Sequence, residues 1–199
     1  MASEITMDQV KALRDKTGGI SIMQCKKALE EAGGDEEKAI VLLRKKGAEI
    51  AAKKGDRTFG AGAVQAYIHS NGTIGAMVEL ASETDFVANN ADFKTLAYDI
   101  AMHVSATNPQ FVKKEEVTED AKAKAMEVFA EEVKGKPDNL KEQILAGKLD
   151  AYFKDSILLE QPFIKNPDLT IQQLIDNAIQ KFGEKIEVAR FARFNALEK

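Results

Sequence analysis

The chain has one cysteine, Cys25, and two histidines, His69 and His103, in 199 residues. A single thiol permits no intrachain disulfide and fits a reducing compartment. The histidines are far apart in sequence, one in a strand-like run and one in a helical run. A metal site would want more His, Cys or clustered carboxylates, so no metal is expected. No apolar run approaches the roughly 20 residues of a membrane span, and the mixed, polar stretch Met1–Asp8 does not read as a secretory leader. There is no Walker lysine motif. Gly60-Ala61-Gly62 lacks the third glycine of a dinucleotide fingerprint and precedes a strand, so no nucleotide or other cofactor is expected. Positive charge is not in excess either: 28 Lys and Arg against 32 Asp and Glu leave −4, which argues against direct nucleic-acid binding. No nucleophile–base pair is visible. These absences leave a soluble, cytoplasmic protein whose 44% hydrophobic and 30% charged content is ordinary for a globular fold.

The first part of the chain reads as three short helices. Thr6 with Gln9 forms a capping box, with Ile5 and Val10 as its staple, and Ser21 with Gln24 repeats the pattern. Ile22, Cys25, Ala28, Leu29 and Ala32 keep helical spacing, which places Cys25 in a core rather than in reactive chemistry. Asp35 caps a third helix bearing Ala39, Leu42 and Leu43 and expected to end at Gly47. The glycine-marked stretch 55–62 reads as a linker, dividing the chain into a helical unit, 1–54, and a larger unit, 63–199.

Two strand-like runs, 63–69 and 73–80, flank Ser70-Asn71-Gly72 and predict a hairpin with a tight primed turn. Phe93, Leu96, Ala97, Ile100, Ala101 and Val104 then mark a helix that must pack on the hairpin. Before that helix lies Glu83-Thr84-Asp85-Phe86-Val87-Ala88. Phe86 is seven residues before Phe93, but Asn89-Asn90 interrupt the stripe. Two readings of Phe86 stand: a core residue, or an exposed ring at a turn that can enter a partner.

Thr118 caps a helix expected to close at Gly135-Lys136-Pro137, and Leu140, Ile144, Leu149 and Phe153 mark another with Gly147 as a possible break. Leu158–Leu169, with Pro162 and Pro167, reads as an ordered loop. Thr170 with Gln173 caps a helix running to Phe182-Gly183. A last strand carries Ile186 and Val188, with Phe191 and Phe194 on opposite faces, which calls for burial on both faces, a bulge or a subunit interface. The class is α+β, with a three-stranded antiparallel sheet packed with helices. Two function classes beside a protein-interaction module remain: an RNA-associated one, from the basic tract Arg44–Arg57, and a small enzyme using Glu83 and Asp85.

Several blocks together resemble the bacterial elongation factor Ts family. Val10-Lys11-Ala12-Leu13-Arg14, Thr17-Gly18 and Cys25-Lys26-Lys27-Ala28-Leu29-Glu30 are similar to its ubiquitin-associated-like three-helix domain. Val78-Glu79-Leu80 followed by Glu83-Thr84-Asp85-Phe86-Val87-Ala88 resembles its central motif. Leu158-Leu159-Glu160-Gln161-Pro162-Phe163, Gly183-Glu184-Lys185-Ile186 and Arg190-Phe191-Ala192-Arg193-Phe194 are similar to its C-terminal blocks. Ala81-Ser82 stands where many members have Asn-Cys, and the length matches the short form of the family. The resemblance implies a guanine nucleotide exchange factor without covalent chemistry. It implies that Thr84, Asp85, Phe86 and Val87 enter the G domain of elongation factor Tu and dislocate Mg2+, with Arg14, Ile22 and Met23 as N-terminal contacts. It also implies that the sheet face covered by a second subdomain in long members is covered here by a second copy. A homodimer with Phe191 or Phe194 near its interface is expected.

Overall fold

The computed structural model describes residues 5–132 and 138–198. In chain order the elements are α1 (Met7–Lys16), α2 (Ile22–Glu31), α3 (Glu36–Lys53), β1 (Ala61–Ile68), β2 (Ile74–Ser82), α4 (Asp85–Ala88) and α5 (Ala91–Thr107). Then come α6 (Glu119–Glu132), α7 (Asp138–Ser156), β3 (Pro162–Phe163), β4 (Asn166–Thr170), α8 (Ile171–Phe182) and β5 (Ile186–Asn195). The fold is α+β.

Local chemistry sets the helix starts. The Thr6 hydroxyl accepts from the Gln9 N–H at 3.3 Å while Gln9 Oε1 accepts the Thr6 N–H at 2.9 Å, so two orphan donors are satisfied reciprocally. Thr170 and Gln173 repeat this at α8, at 3.2 and 3.1 Å. Ser21 and Asp35 cap α2 and α3 through their side-chain oxygens alone. Val10, Leu13, Cys25, Leu29, Ala39 and Leu43 close the three helices into one buried cluster. Burial raises the Cys25 thiol above its ordinary range, against the smaller pull of Thr17 and Arg14, so it packs as a core side chain.

Gly47 does not end α3. It is buried where α8 passes, with Asp176 and Gln180 beside it, and the helix runs on to Lys53. Ile50 and Ala51 then pack on the second, larger cluster. One helix therefore serves both cores.

The sheet has the order β1-β2-β5 and is antiparallel throughout. Its first strand begins at Ala61, so Ala61 and Gly62 are strand residues. The hairpin is not closed by the primed pair. Only Gly72 takes positive φ, at 71°, and Gly72 N–H donates to the His69 carbonyl at 2.8 Å. A longer loop with glycine in the left-handed position results. Between Glu79 and Leu80 the register with β5 slips and leaves Ala189 unpaired. That one-residue bulge resolves the two-faced strand: Ile186 and Val188 are buried, Phe191 packs inward, and Phe194 turns out. On the inner face α5 lays Phe93, Ala97, Ile100 and Val104 against Val78 and Leu80. The outer face carries exposed Val64, Ile68, Met77 and Phe194.

The second half departs from expectation twice. Gly147 lies inside a continuous α7, and the Leu158–Leu169 segment holds a 3-10 turn and the small β3–β4 ribbon in place of a loop. Both prolines sit on that ribbon, where no further strand needs their missing N–H. Val133 and Gly135-Lys136-Pro137 lie outside the described residues.

His103 on α5 is wholly buried beneath this ribbon. Its Nε2 meets Gln161 Oε1 at 2.8 Å, and its Nδ1 accepts the Ile164 N–H at 3.4 Å. An accepting Nδ1 requires a neutral ring with its proton on Nε2. Burial lowers the His103 pKa, while the Gln161 bond works in the opposite direction. As pH falls through the ordinary imidazole value of about 6.5, the unfolded chain takes up a proton that the folded chain resists, so stability falls there. Melting temperatures recorded between about pH 7.5 and about pH 5.5 should decline, and His103→Gln should flatten that slope. An unchanged slope would assign the decline to other groups.

Candidate functional site

The segment that resembles the family's central motif lies where β2 runs out. Its last residues, Ala81 and Ser82, are buried, and the chain turns at Glu83 and Thr84 into the single turn of α4. Asn89 closes that turn, and Asn90 starts α5 by accepting the Asp92 N–H at 2.9 Å. The two amides thus separate two helices, and the apolar stripe changes direction between them. Val87 and Ala88 enter the main core, whereas Phe86 is 83% exposed. Thr84 and Asp85 are exposed beside it. Of the four motif residues named from the resemblance, three are on the surface. Val87 anchors the turn from below.

The turn is tightly held. Glu83 accepts from Arg57 Nη1 at 2.9 and 3.2 Å and from the Lys185 N–H at 2.5 Å. Partial burial works against the charge of Glu83, but the Lys185 N–H and the Arg57 guanidinium outweigh it and keep the carboxyl below its ordinary range. Thr84 donates its N–H to Glu184 Oε2 at 3.0 Å and its hydroxyl to Glu184 Oε1 at 2.6 Å. Its carbonyl accepts from Ser82 Oγ at 3.0 Å. Beneath the turn, Gly60 donates to the Ser82 carbonyl at 3.2 Å. A Cβ at Gly60 would meet the Glu83 carbonyl at 2.7 Å, so the backbone approach needs glycine. Lys185 Nζ ties down the carbonyls of Gly55 and Arg57 at 2.7 and 3.1 Å and lies over the Phe59 ring. The sequence put Arg57 in the basic tract and Gly60 in the linker, and marked Glu184 and Lys185 only through the Gly183-Glu184-Lys185-Ile186 block; it linked none of the four to the turn at Thr84.

The N-terminal candidates surround the α1–α2 loop. Arg14 is exposed in the last turn of α1. Ile22 and Met23 open α2 and are 44% and 83% exposed, so Ile22 leaves the apolar stripe on which its spacing put it. The end of α8 ties this loop to the core. Gln180 donates to Gln24 Oε1 at 2.6 Å, and Lys181 Nζ meets Asp92 at 2.7 Å and the Gly18 carbonyl at 3.5 Å. The hydrogen bond and charge of Lys181 hold the Asp92 carboxyl below its ordinary range. Residues 180–185 therefore touch both candidate patches.

The family model described as Elongation factor TS matches residues 23–198. The chain belongs to the elongation factor Ts family. Elongation factor Ts of Desulforamulus reducens is 48% identical over 194 residues, covering 96% of this chain and 89% of the relative. That of Moorella thermoacetica is 47% identical over 196 residues, 98% of this chain and 96% of the relative. The Acaryochloris marina protein of the same name is 50% identical over 193 residues and is covered to 80%. Membership of the elongation factor Ts family makes the chain a translation elongation factor.

Neither rival reading gains from the site. In the basic tract Arg44 donates to the Asp168 carbonyl, Lys54 to the Gly183 carbonyl and Arg57 to Glu83, so three of its cations are engaged within the chain. Of the carboxylate pair, Glu83 is locked in an ion pair and kept ionised, which suits no general acid. Among the described residues no three His, Cys, Asp or Glu side chains converge as metal ligands, and no helix is long and apolar enough to cross a membrane.

The exposure of Phe86 has a thermodynamic consequence. Truncating a buried Phe costs roughly 3–5 kcal/mol, whereas an exposed one costs well under ~1 kcal/mol. Urea denaturation should therefore find Phe86→Ala close to the parent and Phe93→Ala severely destabilised. Equal losses would place the Phe86 ring in the core.

Proposed function

We propose that this chain is the guanine nucleotide exchange factor of elongation factor Tu and that Phe86 is its wedge. The observation that carries the reading is the 83%-exposed aromatic ring on a turn whose next two residues are locked in the core. An exchange factor cannot shift the GDP/GTP equilibrium of the free system. It binds the nucleotide-free partner better and applies that difference to opening the site, and nucleotide reciprocally expels the factor. A nanomolar nucleotide corresponds to about −12 kcal/mol, so the opening must displace the groups that hold Mg2+ and phosphate. Phe86 enters between helices of the partner's G domain, Asp85 fixes the approach by charge-assisted hydrogen bonding, and Thr84 and Val87 hold the turn on either side of them. Arg14, Ile22 and Met23 add contacts from an N-terminal unit of ubiquitin-associated-like type. That unit, 1–54, has its own buried cluster and adds binding, while 63–199 carries the wedge; α3 and α8 pack the two together, and the connection between them ends where β1 begins at Ala61. No bond is made or broken, no cofactor is used, and the protein acts in the cytoplasm.

The outer face of the sheet supports a homodimer. Val64, Ile68, Met77 and Phe194 form an apolar surface on adjacent strands, with Phe194 66% exposed. A second copy that packs its own sheet there buries both apolar surfaces. Phe191 packs on the inner face, which leaves Phe194 as the ring for this interface.

Two measurements test these readings. Added to elongation factor Tu loaded with fluorescent GDP, the chain should accelerate release, and Phe86→Ala should lose most of that acceleration while still binding. Undiminished release by the variant would reject the wedge. In sedimentation, the parent should run at twice the monomer mass and Phe194→Asp at the monomer mass; a parent that is monomeric at tens of micromolar contradicts the dimer.

A further inference from the structure

We propose that Glu184 is the positioning residue that presents Phe86, an inference that rests on the exchange reading. Thr84 occupies the N-cap position of α4, yet its hydroxyl makes no capping bond to that helix. It turns instead to Glu184, one hundred residues further along the chain, which accepts the hydroxyl on one oxygen and the Thr84 N–H on the other. The Thr84 carbonyl is taken by Ser82 Oγ and by the Ala88 N–H, at 3.0 and 3.2 Å. Every polar group of Thr84 is thus assigned a partner, and the strongest two come from one carboxylate.

The grip is reinforced next door. Lys185 donates its N–H to Glu83, so consecutive residues 184 and 185 hold consecutive residues 84 and 83. The pair is placed by the left-handed Gly183 that ends α8, at φ 74°. Phe86 lies two residues beyond Thr84, and its ring is 83% exposed. What keeps it outward is the orientation of α4, fixed below by Val87 and at its start by Glu184. A wedge that is already aimed loses less freedom on entering a partner, so the carboxylate acts through preorganisation. A Thr84 released from Glu184 can cap α4 in the ordinary way, and the turn then loses its single orientation.

The test combines Glu184→Ala, Glu184→Gln, Phe86→Ala and the Glu184→Ala/Phe86→Ala double variant, all in the full chain. GDP release from elongation factor Tu is followed as a function of factor concentration. Glu184→Ala should lower the maximal release rate about tenfold, the size expected for lost hydrogen bonds to a charged group, with little change in the half-saturating concentration. Glu184→Gln retains one good acceptor oxygen and should fall between. In the Phe86→Ala background the Glu184 substitution should cost nothing further. Amide hydrogen exchange at Thr84 should speed up in Glu184→Ala while the melting temperature barely moves. Losses that multiply in the double variant, or that follow the melted fraction, would make Glu184 merely structural; full activity in Glu184→Ala would remove the proposal outright. If Glu184→Ala does not fold, Glu184→Gln is read by the same criteria. Phe86→Ala without effect on release would instead remove the exchange reading itself.

Discussion

Phe86 and Val87 are adjacent on one turn of helix, and the fold treats them oppositely. Val87 is sealed in the core and Phe86 stands in water. Burying a Phe side chain is favourable by roughly 1.5–3 kcal/mol, and here the anchored backbone of α4 gives that burial to Val87 and withholds it from Phe86. That constraint accounts for the architecture nearby. The antiparallel pairing of β2 with β5 brings the start of β5, with Glu184 and Lys185 just before it, to the exit of β2. The bulge at Ala189 keeps Ile186 and Val188 pointing inward at that end while freeing Phe194 at the other.

The same junction joins the two ends of the molecule. The three N-terminal helices bury their own cluster, yet α3 continues into the larger core and α8 lies alongside it. Much of that contact is polar: Gln180 with Gln24, Arg44 with the Asp168 carbonyl, Lys54 with the Gly183 carbonyl. Polar contacts of this kind orient neighbouring units at modest net gain, because each hydrogen bond replaces one to water. Met23 and Phe86 are therefore held relative to each other by residues of one short segment, 180–185.

Legibility in the sequence followed the range of the interactions. Capping boxes at Thr6–Gln9 and Thr170–Gln173 span three residues, and both formed. The α5 stripe and the Asn89-Asn90 interruption are local patterns and also held. Gly47 and Gly147 read as helix stops because intrinsic propensity disfavours glycine within helices; tertiary packing overrode it at Gly47, where α8 needs the space. Pro162 and Pro167 hid the β3–β4 ribbon, since an isolated two-stranded ribbon leaves an edge that tolerates them. Glu184 could not be linked to Thr84 by any pattern, because their contact exists only once β5 has paired with β2. Family resemblance marked both blocks without linking them.

The central claim is that the residue-86 side chain leaves water for the interior of a nucleotide-free partner. The chain contains no tryptophan, so Phe86→Trp expressed with 5-fluorotryptophan carries a single fluorine reporter at the site. Its 19F resonance should start at a solvent-exposed shift, move and broaden when nucleotide-free elongation factor Tu is added, and return when GDP is supplied. A resonance that keeps its solvent-exposed shift and width while the complex demonstrably forms would contradict the account.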